Sequence, residues 1–204
     1  MAKLNLSKGQ QLVLDKGVNY ALIGLGWNCG SENVDLDASA FMLCEDGTCA
    51  DVDDVVFYGM NPEYKGVHPS GALRYGGDSL TGGSGSSDDE QIFVDFSKMP
   101  DYVTAIDITI TIYNWKKKQH TFGKVKKAYC RIVSTDAKWR PDGNQELRFD
   151  LKEDNPNATA MLIAKLIRNG HSWSFRAVGE GYRETGLRKL AIDRGLECED
   201  GGDA

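Results

Sequence analysis

The sequence predicts a mostly β protein, a β-sandwich with two short helices near its C-terminus. Many short segments are rich in β-branched and aromatic residues and are separated by glycine, proline and aspartate turns, which is typical of antiparallel sandwiches. Apolar residues at helical spacing occur only after residue 156. A chain of 204 residues with 41% hydrophobic content is long enough for one large domain with a buried core.

The clearest strand is 104–113, where isoleucines occupy every second position and threonines lie between them. In a strand, this pattern places Ile106, Ile108, Ile110 and Ile112 on one face. Asp46-Gly47 predicts a tight hairpin turn, and 141–143 predicts a second turn. The expected strands are 20–27, 36–44, 55–58, 91–96, 104–113, 128–134, 145–151 and 173–178.

The period changes near the C-terminus. Met161, Leu162, Leu166 and Ile167 have helical spacing, which predicts a helix over 157–169 that ends at Gly170. A second helix is expected over 187–194, before Gly195. We expect one domain over 1–195 and an acidic, flexible tail over 196–204.

Composition excludes several classes of protein. No apolar stretch approaches the roughly 18 residues that span a bilayer, and the N-terminus lacks a secretion signal, so we expect a cytoplasmic protein. The net charge of −6 disfavours nonspecific nucleic-acid binding. Five scattered cysteines argue against a disulfide framework and favour reduced thiols over a zinc site.

Two acidic segments supply oxygen ligands. Asp35 and Asp37 have strand spacing and project to one face while Leu36 turns to the core. The glycine- and serine-rich loop 77–90 adds backbone carbonyls and hydroxyls, including those of Gly82 and Ser84. Like charges about 4 Å apart repel by roughly 4 kcal/mol at an effective dielectric near 20, so a cation would hold such a cluster together. Carboxylate, carbonyl and hydroxyl ligands in a flexible loop favour calcium. The candidate carboxylates are Asp35, Asp37, Asp78, Asp88, Asp89 and Glu90.

Other interpretations remain open at this point. Glycine-serine-aspartate runs are also typical of solvated linkers. The basic run Lys116–Lys127 would suit an anion- or nucleic-acid-binding module. Paired carboxylates and a metal would suit a metal-assisted hydrolase, but His68, His120 and His171 are scattered and suggest no catalytic triad. We therefore expect no catalytic residue and no organic cofactor.

Many segments resemble the TerD family of bacterial tellurium-resistance and general stress proteins. The likeness covers nearly the whole chain in unbroken order, and the combination of motifs is specific to this family. The matching segments are 4–9, 24–27, 35–41, 55–58, 77–82, 88–90, 122–125, 173–182, 186–187 and 190–191.

The resemblance implies a two-sheet β-sandwich whose acidic loops bind calcium, usually two ions, without established catalysis. It implies the six carboxylates above as ligands and adds Asn28 and Asn114, where the family pattern more often has aspartate. Each amide removes a negative charge, so we expect lower affinity or the loss of one ion. The resemblance also implies a role in stress or metalloid-oxyanion resistance, with related proteins as partners in a membrane-associated system. The sequence does not indicate an oligomeric state.

Overall fold

The computed structural model shows two six-stranded sheets that pack face to face, with two short helices outside them. It describes residues 2–28, 33–60, 65–77, 88–135, 143, 145–151 and 155–198. The helices are α1 (Trp115–Lys118) and α2 (Leu187–Ile192). The strands are β1 (Ala2–Leu6), β2 (Gln11–Val13), β3 (Tyr20–Asn28), β4 (Leu36–Leu43), β5 (Val55–Val56), β6 (Leu73–Tyr75), β7 (Glu90–Asp95), β8 (Ala105–Ile112), β9 (Lys126–Thr135), β10 (Gln145–Asp150), β11 (Ala160–Asn169) and β12 (Ser172–Tyr182).

Each sheet combines strands from distant parts of the chain. Sheet A has the order β1-β10-β9-β3-β7-β6, and sheet B has the order β2-β12-β11-β8-β4-β5. β1 pairs with β10 in parallel, whereas the other strand pairs are antiparallel. The predicted mostly β sandwich is therefore confirmed.

The main core lies between the sheets and follows the alternation of the strands. In β8, Ile106, Ile108, Ile110 and Ile112 are buried in this core, as the isoleucine pattern predicts. The threonine face of β8 is buried as well, with Thr109 and Thr111 almost inaccessible. Strand β8 of sheet B is therefore covered on both faces.

Helix α2 covers part of the outer face of sheet B. Leu190 and Ala191 pack there against Phe41 and Leu43 of β4. Below them, Arg194 reaches buried Asp107 of β8 at 2.7 Å. The ion pair with the Arg194 guanidinium compensates the Asp107 carboxylate for the hydration that it loses on burial.

The folded region extends beyond the expected boundary at residue 195. Leu196 and Cys198 pack against the same outer cluster, and Arg188 donates a hydrogen bond to the Cys198 carbonyl at 3.2 Å. The rest of the tail, 199–204, lies outside the described residues.

The predicted helix over 157–169 is wrong, because residues 160–169 form strand β11. β11 lies between β8 and β12 and is covered on both faces, so its apolar residues form a run instead of a strict alternation. A register shift between Leu162 and Ala164 disturbs the period further. A buried run of this kind cannot be distinguished from a helix by periodicity.

Gly170 lies in a turn between two strands and does not end a helix. Its φ of +60° lies in the connection between β11 and β12, where Asn169-Gly170 is a strong hairpin signal. Of the two expected C-terminal helices, the described residues contain the second, as α2, whereas α1 lies at an unexpected place after β8. Residues 141 and 142 of the expected turn lie outside the described residues.

Candidate metal site

Four strand ends that carry acidic or amide side chains meet at one end of the sandwich, which we call the acidic end. In sheet A, β3 finishes at Asn28 and β7 starts at Glu90, which pairs with Leu25. In sheet B, Leu36 at the start of β4 pairs with Ile112 at the end of β8.

Glu90 joins the two sheets at the acidic end. Its carboxylate accepts a hydrogen bond from the Ala38 N–H of β4 at 2.6 Å. β5 pairs with Ala40 and Phe41 of β4 and does not reach Ala38. The Glu90 side chain takes the place of a β5 partner for the Ala38 N–H. Glu90 is 2% exposed, and this contact brings the start of β7 directly against the Asp37–Ala38 peptide. Glu90, the last residue of the second acidic segment, therefore lies against the first.

Asp89, which directly precedes β7, is hydrogen-bonded to the end of β3. Its N–H donates to the Leu25 carbonyl at 2.7 Å, and its carboxylate accepts a hydrogen bond from the Trp27 N–H at 2.8 Å. Asp89 therefore lies beside Asn28, which follows Trp27 and is half-buried.

Asp35 and Asp37 are buried at the start of β4, with exposures of 6% and 4%. Val34, Leu36 and Ala38 belong to the core between the sheets, so the alternation places both aspartates on the other face, as predicted. Burial makes a negative charge costly unless other groups or an ion compensate for it.

Asn114 connects to the same region through the backbone. The Asp35 carbonyl accepts a hydrogen bond from the Tyr113 N–H at 3.0 Å. Asn114 follows with φ of 52°, a left-handed conformation that asparagine tolerates better than most residues. Its side chain forms no capping hydrogen bond to α1.

Asp88 differs from the other carboxylates of the acidic end in its hydrogen-bond partners. Arg131 donates to both of its oxygens at 2.8 Å, and Tyr129 and Gln91 add hydrogen bonds at 3.0 Å. Asp88 thus has a complete set of protein donors, and the structure favours a structural ion pair over metal binding. This ion pair also raises the pKa of Arg131, chiefly through the hydrogen bond from the guanidinium to Asp88.

The predicted ligands Asp78, Gly82 and Ser84 lie outside the described residues. Within the described ranges, no three histidine, cysteine, aspartate or glutamate side chains are grouped closely enough to hold a metal ion. A metal ion at the acidic end would therefore need amide or carbonyl oxygens, or ligands from 78–87, in addition to the described carboxylates. Asp35, Asp37, Asp89, Glu90, Asn28 and Asn114 fit calcium in donor type, because all supply oxygen.

The structure also contains a cluster that the sequence analysis missed. His68 Nε2 lies 3.3 Å from Asp54 Oδ1, and His68 Nδ1 lies 2.8 Å from Ser70 Oγ. Asp54 also accepts hydrogen bonds from Tyr102 and from the N–H groups of Ala50 and Asp51. Ser70 Oγ accepts from the Ala72 N–H at 3.1 Å. These residues are distant in sequence, so no spacing signalled the cluster, and its contacts fix the surrounding loops.

The four cysteines within the described residues, Cys44, Cys49, Cys130 and Cys198, are free thiols. Cys29 lies outside the described residues. Burial raises the pKa of Cys49 to about 12, and burial also raises the pKa of Cys130. Both therefore remain protonated and unreactive near neutral pH. No helix within the described residues has the length and hydropathy needed to cross a lipid bilayer.

The fold and its acidic end define a class of β-sandwich proteins with buried carboxylates at one end. The family model described as TerD domain matches residues 1–193, and the chain belongs to this family. It is 41% identical over 201 residues to the uncharacterized protein YceE of Bacillus subtilis, covering 95% of this chain and 98% of that protein. It is 36% identical to general stress protein 16U of Bacillus subtilis (95% and 98% covered), and 35% identical to the tellurium resistance protein TerD of Serratia marcescens (96% and 98% covered).

Solved structures share the fold at low sequence identity. The crystal structure of the unknown function protein SAV2460 aligns with a TM-score of 0.64 at 17% identity, covering 86% of this chain and 96% of that chain. A homologue of the telluride resistance protein TerD from Streptomyces coelicolor aligns with a TM-score of 0.60 at 19% identity, covering 82% and 92%.

Proposed function

We propose that the acidic end binds calcium and that the protein acts as a non-catalytic, calcium-dependent component of a bacterial stress response. The observation that carries the proposal is the contact of Glu90 with Ala38 at 2.6 Å. This contact joins the acidic start of β7 to β4, which contains Asp37 and directly follows Asp35. The printed names of the relatives, tellurium resistance and general stress protein, support the stress role.

The chemistry of the site supports calcium over softer metals. Its proposed ligands are carboxylates and amides, which bind hard cations. Asp35, Asp37 and Glu90 are almost fully buried, and a divalent ion offsets both their mutual repulsion and their lost hydration.

The number of ions depends on Asn28 and Asn114. Both supply a neutral amide oxygen where a carboxylate would supply a charge, and calcium affinity depends on the number of charged ligands. The proposal is two calcium ions, with the weaker site beside these asparagines. Asp78, Gly82 and Ser84 of the loop 77–90 complete the proposed ligand set.

The proposed setting is a cytoplasmic, membrane-associated assembly with other tellurium-resistance or stress proteins. The names of the relatives, tellurium resistance protein and general stress protein, support the choice of partners. Its partners would be recognised by the calcium-loaded form, in which the charge of the acidic end is neutralised.

Calcium should raise the melting temperature, because an ion that binds only the folded state stabilises it by mass action. At free calcium of 100 times Kd the gain is about 2.7 kcal/mol. For a chain of this size we expect a rise of about 5–10 °C, measured by differential scanning fluorimetry in calcium, magnesium or chelator. Magnesium should have the smaller effect.

Matched variants locate the site. Asp37→Asn and Asp89→Asn remove one charge each at nearly constant shape, and each should abolish most of the calcium shift. Asp15→Asn makes the same change at an exposed position near the opposite end, beside the start of β3, and should retain the full shift. Melting curves that coincide in calcium and in chelator would refute the proposal.

A further inference from the structure

A cleft of about 690 Å³ opens beside the acidic end, between α1 and the segment that follows β12. Its inner surface is half-buried or buried, and its rim is exposed. The residues that define it here are Trp115, Lys116, Gln119, His120, Asn157 and Arg183.

The cleft brings together two cations from distant parts of the chain. Lys116 belongs to α1, whereas Arg183 follows β12. Both are exposed, and neither appears in an ion pair within the described residues. Glu184 is the acidic residue in the lining, so the cleft has a local positive excess in a protein of net charge −6.

Two residues with ring side chains, Trp115 and His120, line the cleft. Trp115 packs against the main core, which gives its indole a fixed position. The His120 N–H donates to the Trp115 carbonyl at 3.1 Å, so the two residues are held close together. A planar ring can stack on such aromatic surfaces, while Gln119 and Asn157 offer amide donors and acceptors.

The size of the cleft and its two kinds of lining point to one class of ligand. Its volume lies within the range of small-molecule sites, which is roughly 300–1,000 Å³, and exceeds what a single inorganic ion needs. Arginine and lysine are the usual partners of phosphate oxygens. We propose that this cleft binds a small phosphate-bearing molecule with a planar ring, of the nucleotide class. Its phosphate lies between Lys116 and Arg183, and its ring lies against Trp115 and His120.

Of the lysines in the basic run Lys116–Lys127, Lys116 alone lines this cleft. Lys126 and Lys127 begin β9 in sheet A, and Lys127 lines a separate small depression. The proposed ligand is therefore selected by the cleft and not by the linear lysine run.

Calorimetric titration of the full chain tests the proposal, with ATP as the probe and EDTA present so that the result is independent of calcium. Lys116→Ala and Arg183→Ala should each weaken ATP binding at least about tenfold, because each removes a hydrogen bond to a charged group. Glu184→Gln should strengthen ATP binding, because it removes the opposing carboxylate.

Lys117→Ala is the matched control on the same helix, and it should leave the affinity for ATP unchanged. Both changed cations are exposed, so melting temperatures should show that the variants fold.

Three outcomes would overturn the whole proposal, and a fourth, with inorganic phosphate, would overturn the assignment to the nucleotide class. The first is no ATP binding at millimolar concentration. The second is an equal loss in Lys117→Ala, which would indicate a diffuse basic surface. The third is binding of a single-stranded oligonucleotide with a steep dependence on salt but no binding of ATP. Inorganic phosphate, titrated alongside, should bind more weakly than ATP, and equal affinity would remove the role of the ring.

Discussion

Gly24 and Gly26 lie in the middle of β3, where glycine normally weakens a strand. A Cβ atom on Gly24 would approach the Asp88 carboxylate to 2.3 Å, and one on Gly26 would approach the Tyr129 ring to 2.4 Å. Both glycines therefore leave room for side chains that cross the outer face of sheet A. The Asp88 carboxylate is 1% exposed and held by Arg131, so it cannot easily move aside.

Gly24→Ala should destabilise the protein by about 2–3 kcal/mol, because an added methyl group in a packed position forces its neighbours apart. The free energy of unfolding in urea measures this loss. Gly9→Ala is a useful comparison, since Gly9 has φ of +85° and the described part of the chain places no atom within 4 Å of the added Cβ. It should cost only the strain of the left-handed backbone, about 1 kcal/mol. An equal loss in both variants would contradict the packing explanation.

Three connecting segments meet at the buried carboxylate of Asp54. The segments are the short 3-10 helix Val52–Asp54, the loop that carries His68, and the loop that carries Tyr102. Burial opposes ionisation of Asp54, but hydrogen bonds from His68, Tyr102 and the backbone of Asp51 and Ala50 outweigh it and lower its pKa. The ionised form therefore holds these segments together.

The lowered pKa of Asp54 gives a pH dependence with a definite sign. A folded-state pKa below the unfolded value of about 3.9 contributes stability that is present above that value and is lost as the pH falls through the folded pKa. Asp54→Asn should lower the free energy of unfolding by about 1–3 kcal/mol at pH 7, because it leaves buried donors poorly paired. The difference from wild type should shrink below about pH 4.

Urea unfolding at several pH values measures the effect of Asp54. Asp101→Asn is the control, because the Asp101 carboxylate is exposed and its contact with Arg168 is 3.6 Å. A surface change of this kind should stay within about 0.5 kcal/mol at each pH. If Asp54→Asn and wild type differ equally at pH 3 and pH 7, the lowered pKa is not the source of the stability.

At the scale of the whole molecule, the two sheets depend on each other. β1 joins sheet A and β2 joins sheet B, although only residues 7–10 separate them. The last two strands, β11 and β12, lie inside sheet B, between β8 and the edge strand β2. Neither sheet is built from one continuous part of the chain, so neither can form without most of the other.

Unfolding should therefore occur in one cooperative transition. Urea curves followed by tryptophan fluorescence and by far-ultraviolet circular dichroism should coincide. Calcium should move the single transition as a unit if the acidic end binds it as proposed. Two separate transitions, or probes that disagree, would show that the sheets unfold independently.

Much of the sheet structure could be predicted because local patterns indicate it. The alternation of isoleucine and threonine identifies β8, and the aspartate spacing gives the common face of Asp35 and Asp37. The short strands β1, β2 and β6 were missed, since their three to five residues carry too little pattern. β11 was misread because burial on both faces removes the alternation that marks a strand.

The sequence by itself determined the family, the β class and the oxygen-donor chemistry of the acidic segments, because these depend on residue type and local spacing. Only the tertiary structure decided which residues meet. It placed Glu90 against β4, assigned Asp88 to Arg131 and brought Lys116 near Arg183. Such contacts join residues that are distant in the chain, and they depend on the order and register of strands, which no local pattern specifies.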